Sequence, residues 1–209
     1  GGFIASAGEE TRIMLWSETG RLVRILSAHR DFINAVAFNP KRLELVSAGN
    51  DGMILVWNPD RQEPPRALLG HAGAVNALAY TRDGLTLASG SSDGTVKLWD
   101  AENGRQIASL AQDTPVRALA LSRNDRLLAS AGEGAQIFIW DIKAGGSLIR
   151  TLGGTSEKVT SLAFLPSGRL LAGGEDGGIT VWNVQGGRAL RNIKPAALAD
   201  AGGLSQGTS

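Results

Sequence analysis

The chain has 209 residues and a formal net charge of +1, so no bulk attraction to nucleic acid or anionic lipid is implied. It lacks cysteine, which excludes disulfides and thiolate chemistry, and it has no apolar run long enough for a transmembrane helix. With 43% hydrophobic and 20% charged residues it has the composition of a soluble globular protein, and we expect a cytoplasmic location.

The five tryptophans of the chain recur at intervals of 41 or 42 residues, and each stands near the end of a strand-like apolar run. A fixed period of this length is typical of repeat proteins whose unit is one four-stranded sheet. A repeated unit presents similar loops many times, so we expect the function to reside in exposed loops more than in a catalytic pocket. The tryptophans are Trp16, Trp57, Trp99, Trp140 and Trp182.

In chain order, the first repeat is incomplete, because the run at 3–17 supplies a second and a third strand but no first strand. The later repeats contain the runs 28–58, 70–100, 116–141 and 159–183. Counting strands gives four of the first kind and five each of the second, third and fourth kinds. The strands are apolar on both faces, which predicts that each sheet lies between two neighbouring sheets.

The third unit carries the fullest motif, with the pair Gly70–His71, then Ser89 and Asp93, and the closing pair Trp99–Asp100. Over residues 3–193 the units resemble WD40 repeats. The resemblance implies an all-β fold, a WD40-type β-propeller of about five four-stranded blades whose first blade lacks its innermost strand. The expected propeller domain, or partial propeller, covers residues 1–194, with units at about 3–20, 21–60, 61–104, 105–146 and 147–194, followed by a flexible tail at 195–209.

The blade count leaves the closure of the ring open. The family most often closes with seven blades, which needs more chain than this. An open arc, a strained five-blade ring and a ring completed by another chain all remain. The start at Gly1, inside a unit, favours part of a longer propeller or an assembly. Uncovered apolar faces would also allow self-association through the open blades.

In the WD40 family, matching His, Ser, Asp and Trp side chains form a buried hydrogen-bonded tetrad, and the resemblance implies two complete sets here. Gln112 and Thr155 occupy the histidine position of the later units. Gly134 replaces one aspartate and Ala172 one serine, so we expect these later units to be held less firmly. The implied tetrads are His29, Ser47, Asp51 and Trp57, and His71, Ser89, Asp93 and Trp99.

Both histidines belong to these structural sets, so we predict no catalytic residue, no metal site and no cofactor. No third histidine and no cysteine remains for a metal cluster. The carboxylate pairs Glu9–Glu10 and Glu175–Asp176 fall in tight turns, where solvated acidic side chains are ordinary. The glycine-rich run at 47–52 is a hairpin turn with no helix after it, unlike a phosphate-binding loop.

The resemblance implies a non-enzymatic protein-interaction scaffold that binds protein or peptide partners through its top face. The top face comprises the loops before the first strands and the turns between the second and third strands. The alternative is a sensor or regulatory propeller segment of a larger multidomain signalling protein. We expect neither nucleic acid nor a membrane as a partner. The top-face candidates for partner binding are Phe32, Asn34, Asn50, Asn76, Ser92, Arg117, Glu133, Thr160 and Glu175.

The two faces of the predicted propeller differ in charge, because the top-face loops are mainly acidic and the opposite, bottom-face turns are mainly basic. One interpretation is that the top attracts a basic peptide and the bottom an acidic partner; the other is that turns are simply polar. Phe32 is likewise either an exposed anchor or a side chain packed on its blade. The basic residues of the bottom-face turns are Lys41, Arg42, Arg82, Arg123, Arg126 and Arg169, against Asp83 and Asp125.

Overall fold

The computed structural model describes residues 2–153 and 158–194, and every helix-or-strand element in these ranges is a β-strand. The prediction of an all-β fold is therefore confirmed, whereas Thr155 and the predicted tail at 195–209 lie outside the described residues. No helix that could cross a membrane occurs in the described ranges. The strands are β1 (Phe3–Ser6), β2 (Arg12–Ser17), β3 (Leu22–Ser27), β4 (Ile33–Phe38), β5 (Leu45–Gly49), β6 (Ile54–Trp57), β7 (Arg66–Leu68), β8 (Val75–Tyr80), β9 (Thr86–Ser91), β10 (Thr95–Asp100), β11 (Gln106–Ala111), β12 (Val116–Leu121), β13 (Leu127–Gly132), β14 (Gln136–Asp141), β15 (Ser147–Gly153), β16 (Val159–Phe164), β17 (Arg169–Gly174), β18 (Ile179–Asn183) and β19 (Arg188–Ile193).

The strands pair into five antiparallel sheets, each built from one consecutive stretch of chain. The first sheet has three strands, β1 to β3, and each later sheet has four: β4–β7, β8–β11, β12–β15 and β16–β19. These sheets are the predicted blades, and the first lacks its innermost strand as expected. The turns between second and third strands use glycines with positive φ, such as Gly52 at 74° and Gly94 at 79°, because an L side chain is strained there.

Four clusters of buried apolar side chains hold the sheets together, and each cluster lies between two consecutive sheets. The tryptophan of one sheet packs against the sheet before it. Trp99, for example, lies with Val46 and Ile54 of the preceding sheet and is only 2% exposed. Burying one large apolar side chain contributes roughly 1.5–3 kcal/mol, so contacts between sheets stabilise the fold more than any single sheet can. This is the two-sided burial that the apolar pattern predicts.

The first strands of the four complete sheets are neighbours: β4 contacts β8, β8 contacts β12, and β12 contacts β16. These strands are rich in alanine, as at Ala35, Ala77 and Ala118. Small side chains let adjacent strands approach closely, while the larger apolar residues of the third strands fill the wider space farther out. The first strands therefore bring the top-face loops of consecutive sheets close together.

The first and fifth sheets are the two ends of this series, and none of the four clusters of described residues joins one end to the other. On the first sheet, Ile4 and Ile25 are 54% and 47% exposed. On the fifth, Ile179 and Ile193 are paired across β18 and β19 and are 40% and 43% exposed. Apolar side chains therefore remain on the outer faces of both ends.

Candidate partner-binding face

Backbone hydrogen bonds join the loops and turns of the top face within each complete sheet. The Asn50 N–H donates to the Phe32 carbonyl at 2.9 Å, and the Glu175 N–H donates to the Lys158 carbonyl at 3.0 Å. These bonds fix the loop before each first strand against the next hairpin turn. The equivalent bonds in the third and fourth sheets run from Ser92 to Ala74 and from Glu133 to Pro115.

A β-bulge recurs at the second residue of every first strand. In the second sheet, the pairing register shifts between Ile33 and Ala35 and leaves Asn34 as the extra residue. A bulge bends its strand and redirects the side chain of the extra residue. Four of the predicted partner-binding candidates occupy this position, namely Asn34, Asn76, Arg117 and Thr160.

The bulged asparagines link neighbouring sheets through their side-chain amides. Asn34 Nδ2 donates to Asn50 Oδ1 at 2.8 Å and to the Val75 carbonyl of the next sheet at 3.1 Å. These amides are therefore partly engaged in holding sheets together, and they tie the top face into one surface. Asn76 repeats the pattern one sheet later, donating to Ser92 Oγ at 3.0 Å and to the Val116 carbonyl at 2.7 Å.

Charged residues replace the amides in the fourth and fifth sheets. The Arg117 guanidinium is bonded to the Glu133 carboxylate, and Lys158 Nζ lies 3.3 Å from Glu133 Oε2 and 3.7 Å from Glu175 Oε2. The hydrogen bond from Arg117 holds the pKa of Glu133 below its usual range. Thr160, at the next bulge, donates within its own sheet to the Gly173 carbonyl. The two halves of the top face are therefore chemically different, one amide-rich and one ionic.

Phe32 is the one large apolar side chain among the top-face candidates, and it is 46% exposed. Both polar groups of its backbone are hydrogen-bonded. The N–H donates to Asp31 Oδ1 at 2.7 Å, and the carbonyl accepts from the Asn50 N–H. The aromatic ring is therefore half exposed on a loop whose path is set by hydrogen bonds.

A directed chain of hydrogen bonds runs beneath the top face in the third sheet. Trp99 Nε1 donates to Ser89 Oγ at 2.8 Å, and Ser89 Oγ lies 2.8 Å from His71 Nε2. His71 Nδ1 lies 2.8 Å from Asp93 Oδ2. A neutral imidazole with its proton on Nδ1 satisfies every partner: indole to hydroxyl, hydroxyl to Nε2, and Nδ1 to carboxylate.

The protonation states in this chain follow from its surroundings. Burial lowers the pKa of His71 more than the neighbouring Asp93 carboxylate raises it, so the imidazole stays neutral. Burial alone would raise the pKa of Asp93, but hydrogen bonds from Thr95, the Ala72 N–H and His71 outweigh it and hold that pKa far below its usual range. The pair is therefore a neutral histidine beside an ionised aspartate.

The second sheet has the same chain of bonds. Trp57 Nε1 donates to Ser47 Oγ at 2.8 Å, which lies 2.7 Å from His29 Nε2, and His29 Nδ1 lies 2.9 Å from Asp51 Oδ2. Burial favours the protonated form of Asp51, but hydrogen bonds, first from the Arg30 N–H and then from His29, lower its pKa. The structure thus brings together both sets of four residues that the resemblance implies.

The fourth sheet has a chain of bonds without a histidine, and the expectation that this unit is held less firmly stays a prediction. Trp140 Nε1 donates to Ser130 Oγ at 2.8 Å, and Ser130 donates to Gln112 Oε1 at 2.7 Å. Gln112 Nε2 then donates to the Thr114 carbonyl at 3.1 Å. The glutamine carbonyl replaces imidazole Nε2 as acceptor, and a backbone carbonyl replaces the aspartate.

The fifth sheet lacks the hydrogen bond from the tryptophan indole to a serine. Trp182 is 2% exposed, and its Nε1 has no hydrogen-bond partner among the described residues. Ala172 stands where the other complete sheets have a serine ten residues before the tryptophan. In the first sheet the serine is present, and Trp16 Nε1 donates to Ser6 Oγ at 2.8 Å.

The sequence profile of the family described as WD domain, G-beta repeat matches residues 20–58, 62–100, 104–141 and 146–183. These segments together make up well over half of the chain. The chain belongs to the WD40 family. Each matched WD40 repeat ends one residue after a tryptophan whose indole packs on the preceding sheet. Family membership supports a protein-interaction scaffold in general terms.

Curated WD-repeat relatives match shorter segments of the chain. A WD repeat-containing protein 26 homolog of Arabidopsis thaliana is 39% identical over 61 residues, covering 28% of this chain and 10% of the relative. GID complex subunit 7 of Schizosaccharomyces pombe is 38% identical over 66 residues, covering 29% of this chain and 13% of the relative. A WDS homolog of Arabidopsis thaliana is 34% identical over 65 residues, covering 30% and 12%. Each match thus spans a small part of the relative's own length.

Two features of this WD40 face were missed by sequence reasoning. The inter-sheet role of the amides has a signal in the sequence, since Asn34 and Asn76 occupy equivalent positions 42 residues apart. The role of Gln112 has a weaker signal in the sequence, because a glutamine carbonyl offers the acceptor that Ser130 needs.

Among the described residues, no group of three or more His, Cys, Asp or Glu side chains is placed to hold a metal ion.

Proposed function

We propose that this chain is a non-enzymatic scaffold that presents its top-face loops to a protein or peptide partner. The observation that carries the proposal is the half-exposed ring of Phe32 on a loop fixed by backbone hydrogen bonds. Aromatic anchors dominate binding energy in many interfaces, and an anchor whose backbone is already ordered loses little entropy on binding.

Exposed carboxylates on the top face favour a basic partner. Glu9, Glu10, Asp31 and Asp113 are exposed on the top face, and none has a salt-bridge partner among the described residues. The side chains of Asp51 and Asp93 are 6% and 11% exposed and are hydrogen-bonded to the histidines, so they offer a partner little surface for direct contact. A lysine- or arginine-containing segment beside an apolar side chain therefore complements this face in charge and in shape.

Two further observations agree with this function. One relative is named as a subunit of a complex, the GID complex subunit 7 of Schizosaccharomyces pombe. The ionic cluster of Arg117, Glu133 and Lys158 gives the face a second, polar region on which a partner's charges can be aligned.

A photo-crosslinking experiment tests the proposed face. A photoreactive phenylalanine analogue replaces Phe32 in one variant and the exposed bottom-face residue Glu102 in the control. The proposal expects a discrete crosslinked protein from position 32 that position 102 does not give. Once identified and purified, that protein must bind the wild type and lose at least about tenfold in affinity with Phe32→Ala. Equal affinity for both forms would remove Phe32 from the interface.

We also propose that the open ends of the sheet series bind a second copy of the chain. The tryptophan faces of the second to fifth sheets each cover the sheet before them, whereas Trp16 of the first sheet is only partly buried. None of the four clusters of described residues covers the outer face of the fifth sheet, and this is the kind of surface that such a tryptophan covers. Light scattering should give a mass above the 21.8 kDa monomer, and Ile4→Asp with Ile25→Asp should lower it. A wild-type monomer at high concentration would contradict this.

A further inference from the structure

A cavity of about 320 Å³ opens on the bottom face where the turns between first and second strands of the third, fourth and fifth sheets meet. Its walls combine apolar and charged side chains from all three sheets. They include Tyr80, Arg82, Leu121, Asp125, Phe164 and Pro166. None of these residues belongs to the top face or to the hydrogen-bonded tetrads.

Asp125 occupies a turn position that neighbouring repeats give to glycine. Its φ is 54°, close to the 70° of Gly84 and the 79° of Gly168 at the equivalent places. Glycine adopts this conformation without strain, whereas aspartate does so at some cost. The turn itself therefore does not require an aspartate, and the carboxylate is an addition specific to the fourth repeat.

The Asp125 carboxylate is buried, with 7% of the residue exposed, and only one of its oxygens is paired. Oδ2 accepts from the Arg82 N–H at 2.8 Å, whereas Oδ1 has no hydrogen-bond partner among the described residues. A buried acceptor left unpaired is destabilising, and such groups are rare in folded proteins. Asp125 lines the cavity, and its Oδ1 is an acceptor that is shielded from solvent and lacks a donor.

The rim of the cavity is positively charged. Arg82 and Arg123 are exposed, and neither guanidinium has a carboxylate partner among the described residues. Nearby basic residues do have carboxylate partners: Arg126 is paired with Asp141 at 2.9 Å, and Lys143 lies 3.9 Å from Asp83. The free positive charges therefore border the cavity itself.

A second cavity, of about 720 Å³, continues the first along the bottom face. The two share Arg123, Phe164 and Pro166, and the second adds Arg169. Together they form one groove with three arginines along it and a single carboxylate, that of Asp125, in its lining. Arginines spread along two adjoining cavities fit an extended acidic chain better than a compact ligand.

We propose that this bottom groove binds an extended acidic segment of a partner protein. Carboxylates of the segment pair with Arg82 and Arg123, and the Asp125 side chain turns toward the cavity so that its Oδ1 accepts from one of the segment's main-chain N–H groups. An apolar side chain of the segment packs against Phe164 and the Tyr80 ring. The Tyr80 hydroxyl already donates to Glu44 Oε1 at 2.8 Å, so the ring contributes apolar surface and not a donor.

Binding of defined peptide pools to the purified chain tests the groove. The probe is a pool of capped octapeptides with a central Leu, Phe or Pro flanked by Asp and Glu. The comparison pool has the same centres flanked by Lys. The proposal expects saturable binding of the acidic pool only, measured by fluorescence anisotropy. Binding of the lysine pool in its place, or of neither pool, would overturn it.

Substitution of Asp125 separates binding from folding. Asparagine tolerates the turn and still offers an oxygen to the Arg82 N–H, but its amide then presents a donor to the peptide N–H. We expect Asp125→Asn to bind the best acidic peptide at least about tenfold more weakly. The empty variant should melt close to the wild type, because an unpaired buried amide donor takes the place of an unpaired buried acceptor. Asp83→Asn, on the adjacent turn, is the matched control and should bind normally.

Two further variants keep the test independent of any folding defect at Asp125. Arg82→Gln with Arg123→Gln lies on the exposed rim, and it should weaken binding about tenfold or more and flatten its dependence on salt. Glu133→Lys with Glu175→Lys alters the top face alone and should leave binding unchanged. Unchanged affinity in both Asp125→Asn and the double arginine variant would overturn the proposal, whatever the fate of the top-face proposal.

Discussion

Gln112 accepts a hydrogen bond from Ser130 at 2.7 Å, and this bond takes the place of the contact between serine and imidazole Nε2 in the two preceding sheets. The requirement at this position is therefore an acceptor facing the serine hydroxyl, with a donor on the far side of the same group. Imidazole and carboxamide both provide the two functions. The tryptophan indole is satisfied in either case.

Replacing His71 by glutamine tests this equivalence. We expect His71→Gln to keep the bond to Ser89 and to lose the contacts of Nδ1 with Asp93 and with Thr95 Oγ1. Asp93 retains its donors from Ala72 and Thr95. His71→Ala removes all of these contacts and leaves a void, so it should lower the free energy of unfolding by about 2–4 kcal/mol, against about 1 kcal/mol for His71→Gln. Urea denaturation measures both, and equal losses would contradict the equivalence.

Restoring the missing serine should stabilise the fifth sheet. Ala172→Ser places a hydroxyl where Trp182 Nε1 lacks a partner, and we expect a gain of about 0.5–1.5 kcal/mol in the free energy of unfolding. The gain should vanish when Trp182→Phe removes the donor, which a double-mutant cycle by urea denaturation detects. The control Ala88→Ser buries a hydroxyl in the cluster of Trp140, whose indole already donates to Ser130, and should destabilise. A loss from Ala172→Ser as large as in the control would contradict the assignment.

The asparagine links between sheets predict a difference among the four bulge positions. Asn76→Ala removes a bond to the next sheet, so it should cost about 1 kcal/mol in the free energy of unfolding. Thr160→Ala removes a bond that stays within its own sheet and is exposed, so it should cost less. Chemical denaturation compares the two, and a greater loss for Thr160→Ala would show that the inter-sheet bonds do not hold the sheets together.

Stability should fall in two stages as the pH is lowered. The pKa of folded His71 lies below its usual value of about 6.5, so the unfolded chain takes up that proton first and stability is lost as the pH falls through this region. The lowered pKa values of Asp51 and Asp93 stabilise the fold above about pH 4, and this contribution is lost on further acidification. Urea titrations between about pH 8 and pH 3 should show both stages. In His71→Gln the upper stage should shrink, and an unchanged upper stage would contradict a neutral buried His71.

The fold was predictable because its signal is repeated. The even spacing of five tryptophans fixes the unit, and the two-sided apolar strands predict the stacking of sheets that the four clusters show. The same pattern occurs independently in each repeat, so a residue that departs from it in one unit does not hide the pattern in the others.

The finer contacts were less predictable because they depend on where a side chain points. A bulge turns Asn34 toward the next sheet, and strand patterns carry no direct sign of a one-residue bulge. The unpaired oxygen of Asp125 depends on three sheets meeting at one turn, although an aspartate at a position that other repeats give to glycine is a visible departure. At position 112 the residue type differs from histidine but the acceptor for Ser130 is kept, which the residue type alone does not reveal.

The most direct test of the top-face proposal is the affinity of the partner identified by crosslinking for four forms of the chain. These are the wild type, Phe32→Ala, Glu133→Lys with Glu175→Lys, and the bottom-face control Glu102→Ala. We predict that the first two variants lose at least about tenfold in affinity while remaining folded by circular dichroism, and that the control binds as the wild type does. Wild-type affinity in both top-face variants would contradict the proposal that this face binds the partner.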